Sequence, residues 1–385
     1  MATGEQRCSL AIPLAYFLVE SMSSKPDQND ELDLKHNRPK AGEIRRFATG
    51  ESVFLSPLPV PTGQPPMDLG GSFLEVNDVY LDVGSSNQGK SYQARLCVMM
   101  PMFVIIVSLI VAPVLAGSGT FFNPFGRTFW YYFSNFFSLG LWISLWGGGA
   151  VALIGIYAIV STTRAKARTR PIRFNRQRRE VCYFPDGSNE PVIQPWEDTV
   201  AWVSVSTGFT GVGVMSSYTF GMAIDDPKND KVHFLRQVVM TPIHGLAKWE
   251  AIRVYMEKGP AFCPGKATHE GSHTFDKERE DMREEYQHKE RSALGVGWWY
   301  LTHIVTLWRV PYWIAAWDQR YTMKALPDSI ADWSKPLPPE QQAKPSPALK
   351  QQSADLEKAF AQGQDFMTYF KANLSEAKTE ESQNA

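Results

Sequence analysis

VMMPMFVIIVSLIVAPVLA, residues 98–116, runs for 19 positions without a charge, and FFSLGLWISLWGGGAVALIGIYAIV, residues 136–160, does so for 25. At a rise of about 1.5 Å per residue, roughly 20 apolar residues cross the ~30 Å hydrocarbon core of a bilayer. Core helices of soluble domains seldom go that far without a charge, so both runs read as transmembrane helices. Pro101 and Pro113 sit near the ends of the first run, where membrane helices tolerate them. Gly147, Gly148, Gly149 and Gly155 in the second allow close backbone approach, most simply by the first helix.

Charge on either side of the two runs sets an orientation. Residues 117–135 between them are rich in Phe, Trp and Tyr and carry one charge, Arg127. Arg164, Lys166, Arg168, Arg170, Arg173, Arg176, Arg178 and Arg179 follow the second run, and Lys90 and Arg95 precede the first. Eight cations against one put the basic flank in the cytoplasm and the aromatic loop outside, with both termini cytoplasmic. Arg164, Lys166, Arg168 and Arg170 are then placed to meet the anionic inner leaflet.

The averages conceal this. The 385-residue chain has 44% hydrophobic residues, a formal net charge of −1 and a mean hydropathy of −0.25, all ordinary for a soluble protein. A near-zero charge gives no general attraction to nucleic acid, and beyond the membrane-proximal run no basic module appears. Four cysteines without a C-x-x-C pair read as reduced thiols. The apolar run 10–19 is broken by Pro13 and closed by Glu20, and it lacks an A-x-A-like cleavage site. It is expected to be a packed or surface helix, not a signal peptide.

Outward from the two runs, five regions are expected. Residues 1–95 form an N-terminal cytoplasmic region, loosely ordered over 23–66 where Ser, Pro, Asp, Asn and Lys dominate, with a strand or a turn of helix at 73–83. Residues 98–160 form the helical hairpin. Residues 170–260 hold β-branched and aromatic runs at 180–184, 199–206, 217–224 and 231–240, with turn residues between them. A helix over 244–258 follows, with Leu246, Trp249, Ile252 and Met256 on one face and Gly259-Pro260 as its stop. The fold class is therefore α+β: a transmembrane helical hairpin followed by a small antiparallel β module in a pleckstrin-homology-like order, with a C-terminal helix. Residues 261–330 form a charged linker and an aromatic segment. Within it, residues 296–317 scatter five tryptophans around His303, Arg309 and Pro311 and are expected to lie in the bilayer interface, crossing being the alternative. Residues 331–385 form a Pro-rich and helical tail.

One catalytic-looking pattern stands out. His269-Glu270-Gly271-Ser272-His273 is a literal H-E-x-x-H, in which two helix-borne histidines bind zinc and the glutamate acts as general base. Gly271 inside it and Cys263-Pro264-Gly265 before it favour a polar loop instead, and so no catalytic residue, metal or cofactor is assigned. A structural site of Cys263, His269 and His273 has no standard spacing. The glycine cluster of residues 208–213 lies between two strand-like runs and reads as a hairpin turn, not a nucleotide loop.

RPIRFNRQRREVCYFPDGSNEPVIQPW, residues 170–196, with WEAIRVYMEKG at 249–259, resembles a family of bacterial two-span membrane proteins of unknown function. Its pattern R-P-x-R-F-N-R-x-R-R-E-V-Y maps onto Arg173, Phe174, Asn175, Arg176 and Arg179, with Trp196 in the following Pro-Trp. Cys182 is the departure, standing between Val181 and the expected tyrosine. The resemblance implies an inner-membrane protein of Gram-negative bacteria, often encoded near type VI secretion toxins, with an accessory or immunity role and a cognate toxin or secretion component as partner. A membrane-inserting secreted effector and a zinc metalloprotease using the H-E-x-x-H residues are the alternatives.

Overall fold

Among the described residues, ten strands form two antiparallel five-stranded sheets that enclose one core, and the strands come from both sides of the two long helices. In the computed structural model the described residues are 37–121, 126–209 and 213–371. The run 10–19 and the last fourteen residues lie outside them, and the described residues from Pro39 onward belong to one compact unit. Strands β1 (Ile44–Phe47), β2 (Gly50–Ser56), β8 (Val200–Phe209), β9 (Val214–Asp226) and β10 (Lys231–Val239) make the first sheet in that order. Strands β3 (Phe73–Val76), β4 (Tyr80–Val83), β5 (Ile172–Asn175), β6 (Glu180–Tyr183) and β7 (Val192–Pro195) make the second.

This corrects two expectations. Residues 44–56 are paired backbone, Val53 opposite Val203 in register, not loosely ordered chain. The segment 73–83 is a two-stranded hairpin whose second strand pairs with β5, Leu81 opposite Phe174. A module bounded at residue 170 therefore lacks the β2 partner of β8 and the β4 partner of β5. The turn expected at 208–213 falls mainly on residues 210–212, outside the described ones; on either side of them Phe209 pairs with Val214.

Helix α3 (Pro242–Lys258) packs against the first sheet, with Trp249, Ile252 and Tyr255 fully buried beside Phe220, Phe174 and Trp196. Its N-cap is Thr241, and its stop is Gly259 at φ +101°. A one-faced amphipathic helix was the expectation, yet every residue from Ala247 to Met256 is buried. The polar face is covered by the chain near Thr62, whose N–H and hydroxyl both donate to Glu250 at 3.0 Å, while Arg253 pairs with the same carboxylate. A carboxylate buried this deeply is tolerable because both of its oxygens accept hydrogen bonds and a guanidinium neutralises its charge.

The tail is part of the core. Helix α7 (Pro347–Ala361) contributes Leu349 and Leu356, and Phe366 and Phe370 follow. Phe370 lies against Gly42, where a Cβ would stand 2.0 Å from its ring and φ is +79°, so only glycine fits.

Candidate membrane interface

Helix α1 (Lys90–Ser118) and helix α2 (Phe129–Arg168) are each long and apolar enough to cross a membrane, and only 17% of each apolar window is buried. A core helix of a soluble domain would be mostly covered. Phe103, Ile110, Leu115, Trp130, Trp142, Trp146, Leu153 and Tyr157 instead face outward. The buried minority joins the two helices. At Gly140 a Cβ would come within 2.1 Å of the Ser108 carbonyl oxygen, and at Gly155 within 3.1 Å of Cys97. Gly148 meets Ile105, whereas Gly149 faces open space. Gly140 makes the closest of these approaches, and nothing in an apolar run marks which glycine meets the partner. Each helix widens by one π-type turn, at Val107–Val111 and Ser144–Gly148, and there Ser108 and Ser144 hydrogen-bond at 2.7 Å.

At the lower end of these helices lies a second layer: α4 (Ser272–Gln287), α5 (Ala293–Val305) and α6 (Val310–Asp318). The aromatic segment is therefore two short helices, not one continuous element. Leu307 and Trp308, at φ +60° and +58°, turn the chain between them. Helix α6 stands along α1 through buried polar contacts. Asp318 pairs with Lys90 (3.3 Å) and with Lys166, and it accepts a hydrogen bond from Thr163. Arg95 reaches Tyr312 and Glu278. Burial works against ionisation of Glu278, but the nearby His303 ring, the hydrogen bond from Tyr312 and the Arg95 charge outweigh it and hold the carboxyl below its ordinary range.

The H-E-x-x-H residues gain a different role here. Helix α1 begins after Gly89, which has no capping side chain. Glu270 supplies the cap from far along the sequence, accepting from the Gly89 N–H at 2.7 Å and the Ser91 N–H at 2.8 Å. Asn87 fixes it in place, exchanging hydrogen bonds with the Glu270 backbone and donating to the Ala315 carbonyl. His269 precedes α4, so the two histidines do not share a helix, and the His273 ring contacts the His269 carbonyl. Among the described residues no three His, Cys, Asp or Glu side chains converge as ligands. Glu270→Ala should cost about 1–2 kcal/mol as a lost cap at a helix N-terminus. Thermal unfolding in detergent checks it, with His269→Ala silent and zinc content unchanged in both. A zinc atom per chain lost in both variants would reverse the assignment.

The basic residues divide. Arg164 and Arg168 are exposed past the end of the apolar run. Arg170 donates to Asn189 at 2.8 Å and lies over the Phe184 ring. Lys166 is buried on Asp318 and does not face solvent.

The motif residues are braces. Asn175 ends β5, and its side-chain oxygen accepts from the Arg178 N–H, closing the turn into β6. Its amide and the Arg178 guanidinium both donate to the Trp333 carbonyl at 2.9 Å. Arg173 clasps Asp82 across the sheet and donates to Ser334. Arg179 pairs with Glu257 and Glu197, and Phe174 and Trp196 are fully buried. Arg176 lies beside Gly259. The Pro-rich stretch is thus a strap across the outer face of the second sheet. Cys182 lies under it with Phe184 and Ile330, in unbroken register with Arg173 and Ile193. Burial pushes its thiol up to about 12, so at neutral pH it is an unreactive packing residue.

A family profile described only as a family of unknown function, DUF6708, matches residues 150–345, which is half of the chain. No curated protein and no solved structure matches. The matched stretch runs from the lower half of α2 through β5–β10, α3–α6 and the strap. Its sheets are completed by β1–β4 from outside it. On that match, the chain belongs to the DUF6708 family.

Proposed function

We propose that this is a non-catalytic, two-span protein of a bacterial inner membrane, serving as an accessory or immunity factor beside a secreted toxin system. The observation that carries the membrane part is the outward-facing apolar surface of α1 and α2. Their contact through Gly140, Gly155 and Ser108–Ser144 supports a hairpin. Both ends of that hairpin lead into the same pair of sheets, β4 into α1 and α2 into β5, which supports placing all of the folded module on one side. The cation asymmetry of residues 164–179 supports the cytoplasmic side.

The accessory or immunity role rests on the resemblance in residues 170–196 and 249–259, and the pleckstrin-homology-like order of strands and helix remains an analogy of form. The geometry around Glu270 favours a capping carboxylate over a general base. Topology is tested by reporter fusions after Gly126 and after Asp186. The first should report the periplasm and the second the cytoplasm, and the opposite pair of signals would reject the orientation. The role is tested by expressing neighbouring toxin genes with and without this chain. Protection supports immunity, and toxicity of the chain alone supports a membrane-inserting effector.

A further inference from the structure

We propose that α5 is an in-plane foot, lying on the headgroup boundary of the leaflet from which α1 rises. The proposal rests on the two-span reading. Helix α5 is apolar on two opposite faces. Val296, Trp299, Tyr300 and His303 face inward, toward Phe275, Met282, Trp308 and Tyr312. Leu294, Trp298, Leu301 and Ile304 face outward, at 87%, 66%, 50% and 62% exposure. Their spacing of four, three and three residues is one stripe of a helix. Leu307 in the turn that follows and Trp313 on α6 are exposed as well.

Helix α4, on the other side of the shared aromatic cluster, is the reverse. Phe275 and Met282 face the cluster, while Lys277, Glu280, Asp281, Arg283 and Glu284 are exposed. The α4–α5 layer is therefore charged on one outer surface and apolar on the other. Burying one large apolar side chain is worth about 1.5–3 kcal/mol, so the exposed stripe is costly in water. A bilayer surface accommodates that asymmetry without a protein partner.

Depth agrees with this occupant. Arg95 is the last charge before the uncharged run of α1, and its guanidinium is 3.4 Å from the His303 ring near the end of α5. The end of α5 thus sits level with the point where α1 becomes purely apolar. Crossing is ruled out by length. Thirteen residues reach about 20 Å against a ~30 Å core, and the chain then turns at Leu307 and Trp308 while Arg309 is tied to Asp276. Tryptophan at 298 and 313 suits the interface, where one end of the ring is apolar and the other wet.

The test places a fluorescent label at Trp298→Cys, Glu280→Cys or Leu145→Cys, with the four native cysteines replaced, in phosphatidylcholine–phosphatidylglycerol vesicles. At 298, a spin label near the top of the acyl chain should quench several-fold more than one at the chain end, with aqueous iodide excluded. At 280, iodide should quench and lipid should not. At 145, deep quenching reports the span. If 145 is lipid-quenched but 298 responds to iodide, the foot is wrong and the span reading survives. Deepest quenching at 298 by the chain-end label means crossing, which also overturns the foot. If 145 is not lipid-quenched, both readings fail. The unmodified chain gives a second readout: hydroxyl radicals should oxidise Trp298 and Leu301 several-fold less than Tyr286 and His288 in vesicles. Equal oxidation rejects the proposal.

Discussion

Asp318→Ala is expected to destabilise the base of the two long helices by about 3–5 kcal/mol, the range for removing one partner of a buried ionic cluster. Asp318 is 1% exposed, and the Lys90 and Lys166 side chains that converge on it are 9% and 8% exposed. Without the carboxylate, two ammonium groups share a desolvated space with only the Thr162 hydroxyl and the Asp318 carbonyl as acceptors. Asp318→Asn should lose less, because its amide oxygen still accepts from Thr163. The triple variant Lys90→Met, Lys166→Met, Asp318→Leu should recover most of the loss, since well-packed apolar groups replace a buried ionic cluster at little cost. Pulse proteolysis of the full chain in detergent measures all three. A fall of less than about 1 kcal/mol for Asp318→Ala would mean that water reaches the cluster.

The same residues define what could be read from the chain in advance. The uncharged runs, strands β6 and β8–β10 and the α3 stop at Gly259 are local patterns, written within windows of a dozen or so residues. The pairing of Val53 with Val203 is not local, because a whole helical pair lies between them. Composition therefore made residues 39–66 look loose, although they are ordered by partners far along the chain. Glu270 follows the same logic: it stands between two histidines four residues apart, His269 and His273, in a zinc-like pattern, while its actual partners are the N–H groups of Gly89 and Ser91.

The cations needed for topology also proved to be structural in part. Arg173, Arg179 and Lys166 are ion-paired inside the fold. This leaves the orientation argument intact, since the positive-inside bias acts as the chain inserts, before those pairs exist. It does change which residues are available to lipid afterward, leaving Arg164 and Arg168 as the exposed pair.

The motif that carries the family resemblance leads to the second large effect. Trp196→Ala should cost about 3–5 kcal/mol, as expected for truncating a fully buried large aromatic. Its ring lies 4.9 Å from Trp249 and 5.8 Å from Phe174, the latter edge-on, so one truncation loosens α3 from the second sheet. Its indole N–H donates to Glu257 at 3.1 Å, and that carboxylate also holds Arg179. Trp196→Phe keeps most of the volume and forfeits the hydrogen bond, for a smaller loss of about 1–2 kcal/mol. Arg179→Met tests the other arm, removing both hydrogen bonds that the guanidinium donates to the half-buried Glu257 carboxylate. The order expected in chemical unfolding of the detergent-solubilised chain is Trp196→Ala, then Arg179→Met, then Trp196→Phe. Membrane extraction should be unchanged in all three, because none touches the outward faces of α1 and α2. A Trp196→Ala chain that folds at wild-type stability would show that the Trp196 ring does not brace α3 against the second sheet.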